Sequence, residues 1–233
     1  MSSSKAFASF SIPDELSAGF NLKGLFEDLF LAAGADRPVI EARLKELLPD
    51  LPHPVQSLLL LSSFLENARE AKTRRHLLSG EVLSQLLVLY SYSQQLGIFL
   101  NKKPELILEI FPVLREDTQD FGRRIKSHSF ASLDSRAASI LRRFRSVEYC
   151  RILLSDVLKV DTFEETTEKI SMVADRAFGL ACEAVGLDEA PLAVIAMGKW
   201  GGYELNYSSD IDLLFVARDH VGEEKILRYE PYA

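Results

Sequence analysis

Two aspartates one residue apart, Asp210 and Asp212, close a stretch reading MGKWGGYELNYSSDIDLLFV, Met197 to Val216. On a β-strand residues i and i+2 share a face, so the two carboxylates are expected side by side, with Ile211 turned the other way into a core. Carboxylates about 6.5–7 Å apart at the backbone can converge on one divalent cation or bridge two cations about 3.5–4 Å apart. Left alone they repel each other, and a bound Mg²⁺ turns that repulsion into attraction. Ahead of them, Gly198, Gly201 and Gly202 permit a turn with positive φ and a close approach of backbone N–H groups to phosphate oxygens. Lys199 and the hydroxyls of Ser208 and Ser209 add further phosphate contacts. The chemistry this pattern suits is phosphoryl or nucleotidyl transfer. Taken singly, an Asp-Ile-Asp more often decorates an exposed strand edge and a glycine turn is more often only a turn; at this spacing the two together are more specific than either alone.

The elements that must position these residues are mostly helical. From about Leu22 to Val185 the apolar residues recur every three or four positions, and sustained alternation of period two is absent. The spacing predicts helices over about 22–33, 38–48, 54–71, 80–99, 104–114, 131–144, 147–158 and 163–186. The last begins at a capping-box pair, Thr162 with Glu165, and lines one face with Ile170, Val173, Ala174, Ala177, Leu180, Ala181 and Ala184, small enough for a neighbouring helix to approach closely. It is expected to stop at Gly186, ahead of Pro191. Two short runs with β-branched centres follow, Leu192 to Met197 and Ile211 to Ala217, which read as strands. The expected fold class is therefore α+β and predominantly α, with a helical domain over 1–188 and the beginning of a nucleotidyltransferase-type mixed α/β domain over 189–233.

Composition narrows the partners. The 233 residues carry 27 basic and 34 acidic side chains, a net charge of −7. That balance argues against generic capture of nucleic acid or of an anionic membrane surface, so an anionic ligand must be met locally. No apolar run approaches the ~18 residues of a membrane span, and the N-terminus lacks a basic region followed by a continuous apolar one, which points to a cytoplasmic protein. Cys150 and Cys182 both lie within apolar helical patterns and read as small core residues in a reducing compartment. His53, His76, His128 and His220 show no ligand spacing, which argues against zinc. The basic groups Lys72, Arg74, Arg75 and Arg123, Arg124, Lys126 read as solvated faces.

The stretch from Met197 to Val216 resembles the signature of the bifunctional glutamine synthetase adenylyltransferase/adenylyl-removing enzyme family, in which Gly-Lys-x-Gly-Gly-x-Glu-Leu precedes Ser-Ser-Asp-hydrophobic-Asp-Leu. The segments YSYSQQLGIFLNKKPELILEIF (Tyr90 to Phe111), LRRFRSVEYCRILLSDVL (Leu141 to Leu158) and EETTEKISMVAD (Glu164 to Asp175) resemble that family's helical approach to its catalytic domain, so the likeness covers roughly residues 80–217. The family belongs to the polymerase-β-like nucleotidyltransferases, whose pattern is hydrophobic-Gly-(Gly or Ser), a spacer, then Asp-hydrophobic-(Asp or Glu). Two registers fit it: Met197-Gly198, with the better spacing but Lys199 in the small position, and Trp200-Gly201-Gly202, with the right letters and a short spacer. The first is preferred for strand placement, and both glycine groups stay as ligand candidates.

The resemblance implies an N-terminal, adenylyl-removing half in which orthophosphate attacks an adenylyl-tyrosine of glutamine synthetase and releases ADP. A partner half would attach the group from ATP. It further implies Mg²⁺ at Asp210 and Asp212 in a two-metal site, a role in nitrogen assimilation, and PII-type signal proteins as regulators. One departure stands out: the third carboxylate of such sites, near an Arg-Leu-Arg-Pro segment, does not occur before Ala233, and Asp219 sits too soon after the strand to serve. Two strands alone do not make an independently stable sheet, so the chain is expected to be part of a longer protein. Two other readings remain: a helical interaction fragment without turnover, and a different nucleotidyltransferase of the same superfamily.

Overall fold

The computed structural model describes residues 21–78, 81–127, 137–185 and 192–217. It has an α+β fold, mostly α, and separates into two compact units that meet in sequence between Val113 and Leu114. The expected domain boundary near residue 188 and the expected stop at Gly186 fall outside the described residues, as do His128, Asp219 and His220.

In the first unit the described elements are α1 (Leu22–Ala33), α2 (Arg37–Leu47), α3 (Pro54–Asn67), α4 (Ala71–Leu77), α5 (Val82–Tyr92), α6 (Gln94–Asn101) and α7 (Ile107–Ile110). Their apolar faces close over Phe26, Leu29, Ile40, Leu44, Leu61 and Phe64, all essentially inaccessible to water. Burial here also encloses polar atoms, which must then be paired: the Tyr90 hydroxyl donates to Asn101 Oδ1 (2.6 Å) and Asn101 Nδ2 donates to the Leu60 carbonyl (2.8 Å).

Where the helices differ from the spacing, local hydrogen bonding explains it. The run expected over 80–99 divides at Ser93, which is extended (φ −144°, ψ 101°) and whose hydroxyl accepts from Leu96 N–H to cap α6. The run over 54–71 divides after Asn67; Arg74, from α4, takes the Leu65 and Ala32 carbonyls and pairs with Asp36, so this residue is a cross-linker and not the solvated cation expected. The segment expected over 104–114 reduces to a 3₁₀ turn, Pro104–Leu106, followed by α7.

The second unit holds α8 (Thr118–Lys126), α9 (Ala137–Val157), α10 (Phe163–Val185), strand β1 (Leu192–Met197), the single turn α11 (Gly198–Gly201) and strand β2 (Asp212–Ala217). Helix α8 was not expected: only Phe121 and Ile125 give it an apolar face, and its start is fixed by the Asp117 carboxylate accepting from Asp120 N–H at 2.8 Å. Residues 137–157 form one helix, not two, because Arg145 and Ser146 are merely its polar face. α10 begins as the capping box predicts, with Thr162 N–H donating to Glu165 Oε2 (2.8 Å) and Glu165 N–H to Thr162 Oγ1 (3.2 Å).

Ion pairs tie these helices together. Arg124 is again a correction: it bridges Glu116 and the fully buried Glu148, each within 2.8–2.9 Å, and Arg151 completes the pairing of Glu148. Lys169 of α10 reaches Asp161 at 2.7 Å and the Glu116 carbonyl at 2.6 Å, with both side chains of the pair almost wholly buried. Removing one partner of such a pair strands a charge away from water. Asp161→Ala is expected to destabilise the second unit by about 3–5 kcal/mol, and adding Lys169→Met to recover most of that loss. Urea denaturation followed by circular dichroism measures both.

Candidate functional site

β1 and β2 pair antiparallel in the register Ala193↔Val216, Ile195↔Leu214 and Met197↔Asp212. Alternation gives the hairpin two faces. Ala196 and Leu213 pack on the helical cluster formed by Phe121, Ile125, Phe144, Ile152, Ile170 and Val173, whereas Ile195, Met197, Leu214 and Val216 are 43–48% exposed. Asp212 lies at the end of the exposed face.

The ladder begins at Asp212, so Asp210 precedes the strand and pairing does not impose the expected alignment of the two carboxylates; both residues are exposed. Ile211 is 49% exposed and does not enter a core, which corrects the expectation drawn from alternation. The physical reason is that alternation holds only within the ladder, and Ile211 is outside it.

The two glycine groups differ in kind. Gly198 follows β1 directly at φ +55°, and the Asp212 Oδ2 atom lies 3.3 Å from where a Cβ on Gly198 would stand. Gly201 has no positive φ; a Cβ there would sit 2.5 Å from the Ala196 carbonyl oxygen, so its bareness serves close packing of the turn on its own strand. Gly202 is at φ −87° with no neighbour nearer than 3.6 Å to a Cβ, so neither conformation nor space demands glycine. The other positive φ in the turn belongs to Tyr203, at +58°.

Of the expected phosphate ligands, Lys199 and Ser208 are exposed. Ser209 is half-buried and engaged with Asn206: its hydroxyl donates to Asn206 Oδ1 and accepts from Asn206 N–H, each at 2.9 Å, while Ser208 N–H donates to the same Oδ1 at 3.0 Å. These bonds fix the polar turn that leads into the aspartates.

Sequence reasoning missed the residues that seat the loop. Trp200 is buried in the helical cluster, edge-on to Phe178 with ring centroids 5.5 Å apart. Its Nε1–H donates to Asp175 Oδ1 at 2.7 Å, and the Tyr203 hydroxyl donates to Asp175 Oδ2. That bond, with burial and the negative charge behind it, pushes the Tyr203 hydroxyl up to about 12. One turn earlier on α10, the Ser171 hydroxyl accepts from Leu205 N–H at 3.3 Å. Tyr207 donates to Asp156 of α9 at 3.1 Å, and its own burial followed by that carboxylate holds it well above the usual phenol range. The signal available was Ser171 and Asp175, polar residues at i and i+4 on a helix whose core face is apolar. A cleft of about 310 Å³ opens beside this arrangement, walled by Ile125, Lys126, Met172, Asp175, Arg176 and Tyr203.

Two exposed carboxylates offer hard oxygen donors of the kind Mg²⁺ takes, and the space a Cβ would fill at Gly198 leaves Asp212 room to turn toward one. The residues present therefore fit part of a Mg²⁺ shell. Among the described residues, no group of three or more His, Cys, Asp or Glu side chains is gathered closely enough to hold a metal, and no helix is long and apolar enough to cross a membrane.

The two glycine environments separate experimentally. Gly201→Ala is expected to cost about 1–3 kcal/mol, because backbone must move to admit the methyl group, while Gly202→Ala stays within about 0.5 kcal/mol. Urea unfolding followed through Trp200, the single tryptophan of the chain, reads both.

Comparison with known proteins sets this geometry in a family. The family model described as glutamate-ammonia ligase adenylyltransferase matches residues 83–228. Among curated relatives, the bifunctional glutamine synthetase adenylyltransferase/adenylyl-removing enzyme of Shewanella frigidimarina is 30% identical over 65% of this chain and 17% of its own length. The protein of the same description from Cutibacterium acnes is 30% identical over 78% of this chain and 19% of its own. The one from Chromobacterium violaceum reaches 34% over 54% of this chain and 16% of its own. The matched region thus spans less than a fifth of the length of these relatives, and no solved structure matches the chain. The family model covers well over half of the chain, including all of the hairpin that carries Gly198 and Asp212: the chain belongs to the glutamate-ammonia ligase adenylyltransferase family.

Proposed function

We propose that this chain contributes the nucleotide-handling turn of an enzyme that removes adenylyl groups from glutamine synthetase by phosphorolysis. The observation that carries this reading is the seating of the Asp212 carboxylate on the bare, left-handed Gly198 at the end of the hairpin. A residue with a side chain at 198 would occupy the space into which Asp212 and a ligand must both reach.

In the proposed reaction an orthophosphate oxygen forms a bond to the adenylyl phosphorus, the bond from that phosphorus to the tyrosine oxygen breaks, and the phenolate is protonated. The products are ADP and an unmodified tyrosine. Asp210 and Asp212 would hold Mg²⁺, which when bound supplies positive charge against the phosphoryl oxygens. Lys199 supplies a mobile ammonium from the exposed side of the turn, matched to phosphate as a point charge. Gly198, Gly201 and Gly202 keep the turn's backbone free of side chains, and Ser208 presents its hydroxyl from the polar turn. Ser209 acts chiefly through Asn206, holding that turn in shape. ATP as adenylyl donor in the reverse sense and a PII-type protein as regulator belong to the same reading.

The assay is ADP release from adenylylated glutamine synthetase on addition of orthophosphate, using the protein that carries this chain. Asp212→Ala and Asp210→Ala are each expected to lower the rate on the order of 10²–10³-fold, since the charge stabilisation at stake is several kcal/mol and each ~1.4 kcal/mol is tenfold. Unchanged turnover in either variant removes that aspartate from the site. Adenylyl transfer from ATP without phosphorolysis assigns the opposite half-reaction.

A further inference from the structure

The turn between β1 and β2 contains a tyrosine, Tyr203, in left-handed backbone. A side chain there is disfavoured by the clash of Cβ with the following carbonyl, and such a conformation persists only where the surroundings over-determine it. The surroundings here are specific. Tyr203 N–H donates to the Trp200 carbonyl (3.1 Å) and Glu204 N–H to the Lys199 carbonyl (2.8 Å), closing the turn on itself. The side chains of Trp200 and Tyr203, which bracket Gly201-Gly202, then reach the two oxygens of a single carboxylate, Asp175 on α10.

That carboxylate is joined to the candidate site by a short chain of contacts. Trp200 sits within α11, so its placement sets the placement of Gly201, which lies against the Ala196 carbonyl, and of Gly198, which faces Asp212. Packing of the indole against Phe178 sets its depth, but a ring contact alone leaves rotation in the ring plane open; the Nε1–H bond closes that freedom. Asp175 is solvent-exposed and its carboxylate bonds to Trp200 and Tyr203, not to Asp210 or Asp212, so its action on the site is indirect.

We propose that Asp175 is a positioning residue for the nucleotide and metal site: by holding Trp200 and Tyr203 on one carboxylate, it fixes the glycine turn against Asp212. The inference rests on the function proposed above for that site.

Trp200 is the chain's single tryptophan, so its emission reports the turn directly. The experiment titrates the 233-residue chain with Mg²⁺ and ADP while recording Trp200 emission and acrylamide quenching. The unaltered chain is expected to show a saturable response, and Asp212→Ala to lose it. Asp175→Ala is expected to shift the emission to the red before any ligand is added, and to weaken the apparent Kd by about tenfold with unchanged circular dichroism. Asp175→Asn keeps a carbonyl oxygen for the Trp200 Nε1–H and should return the Kd to within about threefold of the unaltered chain. Tyr203→Phe, a change at an exposed side chain, removes one arm of the clamp without threatening the fold and should give an intermediate Kd. The positioning role is overturned if Asp175→Ala and Tyr203→Phe both bind like the unaltered chain, or if Asp175→Asn is as impaired as Asp175→Ala. A red shift in Asp175→Ala alongside an undiminished response in Asp212→Ala sinks the site reading instead, and takes with it the role of Asp175 toward that site.

Discussion

Residues 192–217 take a defined shape because Trp200 is seated in the helical cluster beneath them. A hairpin of two six-residue strands buries too little apolar surface to stand by itself, and one face of this one is nearly half exposed along its length. What it lacks is supplied from below: Trp200 and Leu205 join Phe121, Ile125, Phe144, Ile152, Ile170 and Val173 in one cluster, so the loop between the strands is anchored more firmly than the strands themselves. The order is unusual for a hairpin, where paired strands ordinarily hold the turn. Here two buried side chains of an otherwise exposed turn, Trp200 and Leu205, hold the strands.

Dependence on the cluster carries through to the helices that form it. α10 has to present Ser171 and Asp175 at a fixed height, and that height follows from its capping box at one end and from the Lys169–Asp161 pair along its length. Lys169 also takes the Glu116 carbonyl, and Glu116 pairs with Arg124, which bridges to Glu148 of α9. The three helices are thus cross-linked by charge as well as packed by shape. Buried ion pairs contribute little net stability after desolvation; these join α8, α9 and α10, the helices on which the turn rests.

The sequence was most legible where one signal sufficed. α10 was readable to within a residue at its start because Thr162 and Glu165 cap it, and β1 because a short β-branched run lies between Pro191 and Gly198. Legibility fell where structure depends on partners distant in the chain. α8 shows only two apolar positions, and its place is given by Arg124 meeting Glu148, 24 residues away. Arg74 and Arg124 read as solvated because a cation's partner cannot be seen from its own neighbourhood. Asp175 was hidden for the same reason, lying 25 residues before the indole it binds. At Ile211 the error was of a different kind: alternation was extended one residue beyond the ladder that enforces it.

The sequence favoured Met197-Gly198 for strand placement and kept both glycine groups as ligand candidates, and the geometry gives the two groups separate tasks. Gly198 is required by conformation, being left-handed, and by its closeness to Asp212. Gly201 is required by space, because the turn folds back onto the Ala196 carbonyl. The first task concerns the shape of the turn beside Asp212, and the second concerns how the turn is pressed onto its own strand. A substitution at Gly198 would strain left-handed backbone beside Asp212, and one at Gly201 would meet the Ala196 carbonyl. Gly198 thus ends β1 beside Asp212, and Trp200, two residues on, fastens that end to the helices.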